Sequence, residues 1–379
     1  MAAAEPAAGR RRSSTARHHA AEKVFFPAAT LYAAVVVPAS VHGMLSGEPL
    51  LPAFATPAGH AHELLFGFAL AVVSGYLINR VSAPRLAGLF ALWLLARLSY
   101  LLLPGGAPAL LANAAFPAML GWLVVPQFMK GAKKWRNQTI APLLIALCAV
   151  PVLFHAAAAS GVSWLSFVLL QEAVLLLALL MLFMGGRIIA PAAAGAIQRA
   201  GGHLEARVQP RIEGALLIIM ALAVTTAAVP DARVTAGGLA ILAAALGLAR
   251  LLRWRLWAAA GRPDLWCLGF GYAWLVAGVA LLGTAWTSGL LGATTATHAI
   301  TVGALGTLTT GVMARVRLNR AKRDPARSLT IPLMAGTIAA AALLRILMPE
   351  NMTALALASG LWALSYALLL ILLVRIPPR

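Results

Sequence analysis

Four histidines and one acid carry most of the chemistry this chain offers. His60-Ala-His62-Glu63 opens an apolar run that closes at Asn79-Arg80. His155 lies near the end of a second apolar run, and His298 lies near the start of a third. Neutral imidazole is the commonest protein ligand for zinc, copper and iron. Several histidines at one depth on different helices is how a bundle builds a metal or haem site. Spacing limits the first pair. On a regular helix, side chains two residues apart point about 200° apart. One metal therefore takes His60 or His62 but not both, unless the first turn is irregular. One is expected to face the bundle and the other a second site or the outer loop. Glu63 falls in the first turn, where a carboxylate complements the helix dipole. The same dipole disfavours an imidazolium and keeps these histidines neutral and ready to ligate.

Other residues have donor groups of their own. His42 reads as an interfacial residue. Met44, Met348 and Met352 offer soft sulfur of the kind Cu(I) favours, although methionine at such places usually packs. Gln171-Glu172 sits in mid-span, where an acid serves either a proton or cation relay or an interhelical hydrogen bond. Arg187, in Gly185-Gly-Arg-Ile-Ile-Ala-Pro191, either binds an anion such as a haem propionate or anchors its helix at the inner face. The two cysteines, Cys148 and Cys267, stand alone in apolar segments. No CxxC or CxxCH occurs, so neither a disulfide framework nor covalent haem is expected.

These residues need membrane-spanning helices to position them. The chain of 379 residues is 61% hydrophobic and only 11% charged, with a mean hydropathy of +0.86. Soluble domains carry roughly 25% charge. Apolar runs of spanning length recur near residues 25–46, 60–80, 86–104, 108–129, 139–159, 162–185, 211–229, 235–258, 264–286, 290–314, 328–348 and 353–375. The expected fold is all-α, a polytopic membrane bundle of about twelve helices. Residues 1–23, rich in Ala, Arg and Ser, are expected to form a disordered basic cytoplasmic tail, with 24–379 a single transmembrane domain. Gly185-Gly is expected to end the sixth helix.

Charge placement sets the orientation. With the N-terminus inside, 27 of the 30 basic residues fall in inside segments. Only Arg233 falls in an outside loop, while Arg97 and Arg345 lie within spans. The alternation never inverts, so both termini are expected in the cytoplasm. The same pattern explains the net charge of +19 as loop charge, so no nucleic-acid partner is expected; the partner is the lipid bilayer. This orientation places His42, His60, His62, His155 and His298 all in the outer third of the membrane. His203 falls in an inner loop.

Four stretches resemble the NnrS family of bacterial membrane proteins. They are His60-Ala-His-Glu-Leu-Leu-Phe-Gly-Phe, Gly185-Gly-Arg-Ile-Ile-Ala-Pro, Gly271-Tyr-Ala-Trp274, and His298-Ala-Ile-Thr-Val-Gly-Ala-Leu-Gly-Thr-Leu-Thr-Thr-Gly-Val-Met-Ala-Arg315. The first and last are the specific ones, and the order and spacing match from about residue 25 to the C-terminus. The resemblance implies a twelve-helix protein of the bacterial cytoplasmic (inner) membrane that carries haem and copper and is associated with nitric oxide metabolism and tolerance. His60, His62, Glu63, His155, Arg187 and His298 match positions where members usually have the same residue. Members often read His-Leu-Gly-Tyr-x-Trp in the ninth span, where this chain has Gly269-Phe-Gly-Tyr-Ala-Trp. Members also often have Asn-Trp where this chain has Asn79-Arg80.

The expected function is therefore binding of haem, and of copper, through His60, His62, His155 and His298, with Glu63 behind them and Arg187 on a haem propionate. The implied ligand is nitric oxide or a metal–nitrosyl species. Without CxxCH the haem is expected to be non-covalent, b-type. One of His60 and His62 pairs with His298 as candidate axial ligands, because both helices run inward with His near the start. Both also end in similar sequences, Leu77-Ile-Asn-Arg80 and Leu318-Asn-Arg320, a hint of an internal repeat. Two other classes stay open. Twelve spans with a longer central loop is the gross plan of a major-facilitator transporter of a small solute, haem or metal, and Gly75-Tyr-Leu-Ile-Asn-Arg80 resembles that superfamily's loop after the second helix, apart from Asn79 in place of an acid. A non-catalytic membrane scaffold is the third class.

Overall fold

The structure, a computed structural model, describes residues 18–131 and 135–377. Among the described residues, twelve helices are long and apolar enough to cross a membrane. They are α1 (Glu22–Ser46), α2 (Pro57–Leu77), α3 (Ala83–Leu102), α4 (Ala107–Gly131), α5 (Ile140–Ala159), α6 (Ser163–Arg199), α7 (Pro210–Ala227), α8 (Arg233–Arg253), α9 (Pro263–Ser288), α10 (Ala293–Arg320), α11 (Thr330–Leu347) and α12 (Met352–Arg375). Local sequence sets several ends. Proline opens α2, α7 and α9 within the first turn, where its missing N–H costs nothing. Gly47 and Gly289 close α1 and α9 with φ of 73° and 68°, a conformation that costs other residues free energy.

Neighbouring helices pack as three arcs of four: α11, α12, α1 and α2; α3 to α6; and α7 to α10. The last helix of each arc, α2, α6 and α10, faces inward. Of their most apolar stretches, 78, 78 and 67% of residues are buried, against 33–56% for the other nine helices. Outer helices turn leucine, isoleucine, valine and tryptophan outward, as at Leu94, Leu111, Trp122, Ile145 and Val374. A bilayer satisfies that apolar surface where water does not. Small residues let the arcs close up. A Cβ on Gly237 of α8 would lie 2.8 Å from the Gly283 carbonyl oxygen of α9, and one on Gly283 would lie 2.7 Å from the Gly237 oxygen.

Two expectations are corrected. The sixth helix does not stop at Gly185-Gly186 but continues unbroken through Pro191 to Arg199, 37 residues in all. Both glycines are filled from outside the helix, since Tyr272 packs over Gly185 and the Arg250 guanidinium over Gly186. Residues 18–23, expected to belong to the tail, also take part in the fold. His18–His19 pairs with Val81–Ser82 in a two-residue antiparallel ladder, and Ala21 N–H donates to the Ile78 carbonyl at 3.0 Å. Residues 1–17 of the expected tail lie outside the described residues.

Candidate metal centre

Two of the three inner helices share an irregularity. In α2, residues Glu63–Ala69 form a π-helical segment directly after His62. In α10, Ala299–Gly306 form another directly after His298. Such segments interrupt an α-helix where function demands it more often than elsewhere. Their registers match. Glycines follow five and thirteen residues after each histidine, Gly67 and Gly75 in α2, Gly303 and Gly311 in α10. Side chains six residues apart on the preceding helix fill the space of both glycines, Tyr32 and Phe26 on α1, Trp274 and Leu268 on α9. The hint of a repeat at the Asn-Arg helix ends thus extends to a two-helix unit.

The π segment in α2 builds the deepest polar cluster. His62 Nε2 lies 2.9 Å from His155 Nε2 on α5. His62 Nδ1 lies 2.8 Å from Glu63 Oε1. The same oxygen accepts a 2.6 Å hydrogen bond from Arg97 Nη1 of α3. Arg97 Nη2 donates to Asn113 Oδ1 on α4, and Asn113 Nδ2 donates to the Ala96 and Ala109 carbonyls at 3.2 and 2.9 Å. One chain of contacts therefore runs from α5 through α2 and α3 to α4, across two arcs. Glu63 and Arg97 are 0 and 2% exposed, so neither charge is solvated by water and each is balanced by the other. Tyr100 stacks on the His62 ring at 3.6 Å between centroids, and Phe66 and Phe154 flank it at 5.1 and 5.2 Å. Trp93 Nε1 donates to the Gly67 carbonyl of the π segment at 2.9 Å. Gly67 itself leaves room for Arg97, whose Nη1 would lie 2.8 Å from a Cβ there.

His60 faces elsewhere, as two-residue spacing predicts. Its Nδ1 lies 2.7 Å from Ser40 Oγ on α1. That hydroxyl donates its single proton to the Val37 carbonyl at 2.9 Å, so it accepts Nδ1–H from His60. His298 and Arg345 lie within electrostatic range of His60. His298 Nδ1–H donates to the Thr294 carbonyl at 2.7 Å.

The hydrogen bonds assign the tautomers. In His60, His62 and His298 the Nδ1 proton is held by an oxygen, which leaves the Nε2 lone pair to face outward from that anchor. Metal-binding imidazoles are oriented in this way, with a carbonyl, hydroxyl or carboxylate behind the far nitrogen. Between His62 and His155 the two Nε2 atoms converge. Either His155 donates a proton there, or a cation takes both lone pairs. Among the described residues, no group of three His, Cys, Asp or Glu side chains converges as a metal-ion cage. The available donor sets are pairs.

The structure joins His62, Glu63 and His155 and sets His60 near His298. It does not bring Arg187 to them. Arg187 lies 24 residues into α6, about 36 Å from the end of the bundle that carries the histidines. There it donates to Asn137 Oδ1 and Glu213 Oε1 at 2.5 and 3.0 Å and stacks on Phe183. Gly269 is also remote, six residues into α9 from the end opposite the histidines. A Cβ on Gly269 would collide with Leu256 Cδ1, so leucine occupies the space of any side chain there. Met348 and Met352 are exposed, as is His42. Glu172 is buried with its Oε1 unpartnered. An apolar cavity of about 110 Å³ between α2, α6, α9 and α10 borders none of the four histidines.

Sequence reasoning left Arg97, Tyr100, Asn113, Ser40 and Arg345 unassigned. Arg97 and Arg345 carried a signal, since a charge within a span is costly and marks a partner.

No curated protein matches the chain. The family model described as NnrS protein matches residues 20–377, nearly the whole length, and the chain belongs to the NnrS family.

Proposed function

We propose that this multipass membrane protein holds copper and haem at two separate histidine pairs and acts on nitric oxide in the bacterial cytoplasmic membrane, with both termini inside. The observation that carries the reading is the convergence of His62 Nε2 and His155 Nε2 at 2.9 Å, with Glu63 behind the first imidazole. Two buried imidazoles with no third ligand among the described residues would suit Cu(I), which accepts two nitrogen donors, the rings parting from hydrogen-bond distance to admit it. They do not suit structural zinc, which takes four. His62 and His155 would hold copper. Glu63 fixes the His62 ring and raises its basicity, and Arg97 holds the Glu63 carboxyl in place.

His60 and His298 would hold haem. Both carry a lone pair on Nε2, both start inward-running helices that sit in adjacent arcs, and Arg345 is the cation beside them, in place of the distant Arg187. Bound there, copper and haem iron would supply centres with affinity for nitric oxide. The chain's own part is to keep the imidazoles neutral, to exclude water with Tyr100, Phe66 and Phe154, and to leave an approach from the outer face or the lipid. The test is metal analysis of the purified protein beside its His62→Ala and His298→Ala variants. Loss of copper alone in the first and haem alone in the second supports the reading. Full metal content in both variants overturns it.

A further inference from the structure

At the end of the bundle away from the histidines, a polar cavity of about 510 Å³ opens between the end of α6, the loop before α9, and the end of α10 with the turn that follows. Five cationic side chains line it, Arg199, Arg262, Arg315, Lys322 and Arg323, with Asp324 as the only acid on its wall. Two of the cations are already balanced. Arg262 gives Nε and Nη2 to the two oxygens of Asp264, each at 3.0 Å, and its Nη1 lies 3.3 Å from Asp324 Oδ1. Arg315 pairs with the same Asp264. This pairing makes a fixed polar floor. Arg199, Lys322 and Arg323 are exposed, and no ion pair engages them among the described residues. Three positive charges therefore stand unmatched around one cavity.

Loop cations that merely set topology need not converge. The three come from two separate segments, the end of α6 and the turn after α10, and two local features aim them. Gly195 has no side chain, and Arg199 Nη1 lies 3.5 Å from where its Cβ would be, so the guanidinium folds back over the helix face that lines the cavity. Lys322 is held at φ 57°, in the left-handed region that non-glycine residues avoid. The Arg323 N–H then returns to the Leu318 carbonyl at 2.9 Å and turns the chain back beneath α10. A left-handed residue with this returning hydrogen bond is how a helix end closes, and it fixes the direction in which Lys322 and Arg323 leave α10.

Position selects the ligand's source. A helix of 37 residues is about 55 Å long, against a hydrocarbon core of about 30 Å. Pro191–Arg199 therefore extends past the core. The cavity also lies between the ends of two of the inward-facing helices, α6 and α10. We propose that it binds a soluble phosphate-bearing small molecule from the aqueous side. Arginine forks match phosphate oxygens two at a time, and lysine adds a point charge.

Pyrophosphate is the probe, titrated calorimetrically into the full chain in nanodiscs of zwitterionic lipid at fixed ionic strength. The expected result is saturable binding that weakens at least tenfold in R199Q/K322Q/R323Q. It should change less than twofold in R207Q/R211Q/R253Q, which removes equal charge from the same end of the bundle but outside the cavity. Absence of binding, or equal weakening in both triple variants, overturns the proposal. So does thermal stabilisation by phosphatidylglycerol that depends on the cavity cations while pyrophosphate gives no heat, because that result assigns the site to a lipid headgroup.

Discussion

Replacing Arg97 with methionine should cost this protein more than any comparable change among its outward-facing residues. The guanidinium is 2% exposed and the partner carboxylate of Glu63 is 0% exposed. Methionine fills the volume beside Gly67 but leaves Glu63 with His62 as its only polar partner. It also strips Asn113 Oδ1 of its donor. Breaking one side of a buried ion pair costs about 3–5 kcal/mol, because the remaining charge stays desolvated. Removing both sides is different. In Glu63→Leu/Arg97→Met no charge is stranded, and the double variant should fall within about 2 kcal/mol of wild type. The coupling between the two positions should therefore reach at least about 2 kcal/mol, at the upper end of what double-mutant cycles return. Equilibrium unfolding in mixed micelles of detergent and SDS, followed by tryptophan fluorescence, measures all four corners of the cycle. If Arg97→Met costs less than about 1 kcal/mol, or if the single costs simply add, the chain from His155 to Asn113 is not the coupled unit described above.

The remaining predictions touch other parts of the molecule. Glu63→Gln keeps the shape of the side chain but removes its charge, and should lower copper affinity about 10–100-fold in a chelator competition assay, as loss of an anchor behind a metal-binding imidazole does. Gly237→Val should destabilise by about 2 kcal/mol or more, because the new side chain meets backbone rather than a movable side chain at 2.8 Å; the unfolding assay reads it. Ser40→Ala should leave folding intact yet reduce haem per protein, since His60 loses its anchor, and Thr301→Ala on the same α10 turn should not. Arg233→Cys should be labelled by an impermeant reagent in intact spheroplasts, and His203→Cys only after the spheroplasts are lysed.

Much of the fold was legible because a bilayer asks for so little. Twelve runs of apolar residues suffice, and their ends agree with the helices within about three residues except at the ends of α6, α8 and α10. In α6 the pair Gly185-Gly186 reads as a stop, while in the fold it is the close-packed seat of Tyr272 and Arg250. That His60, His62, His155 and His298 share one end of the bundle was legible for the same reason, as alternating spans bring residues to matching heights. The divergence of His60 and His62 followed from helical spacing alone. The partners were not legible. Which histidine meets which depends on arc packing, and that is set by contacts 93 residues apart, as between His62 and His155. Nor does periodicity reveal a π segment, since one extra residue per turn leaves composition unchanged; only the matched glycines after His62 and His298 mark it. Arg187 matched the family pattern, but its height in α6 separates it from the histidines, which follows once the helix is known to continue.

The central claim is that four histidines form two independent donor pairs. A reduced-minus-oxidised optical spectrum and a copper determination on one detergent-purified sample test it directly, for wild type, His155→Ala and His298→Ala. The account predicts copper and b-type haem together in wild type, copper lost with haem retained in His155→Ala, and the reverse in His298→Ala. A wild-type protein with neither metal after growth with both, or variants that each lose both metals, would contradict it.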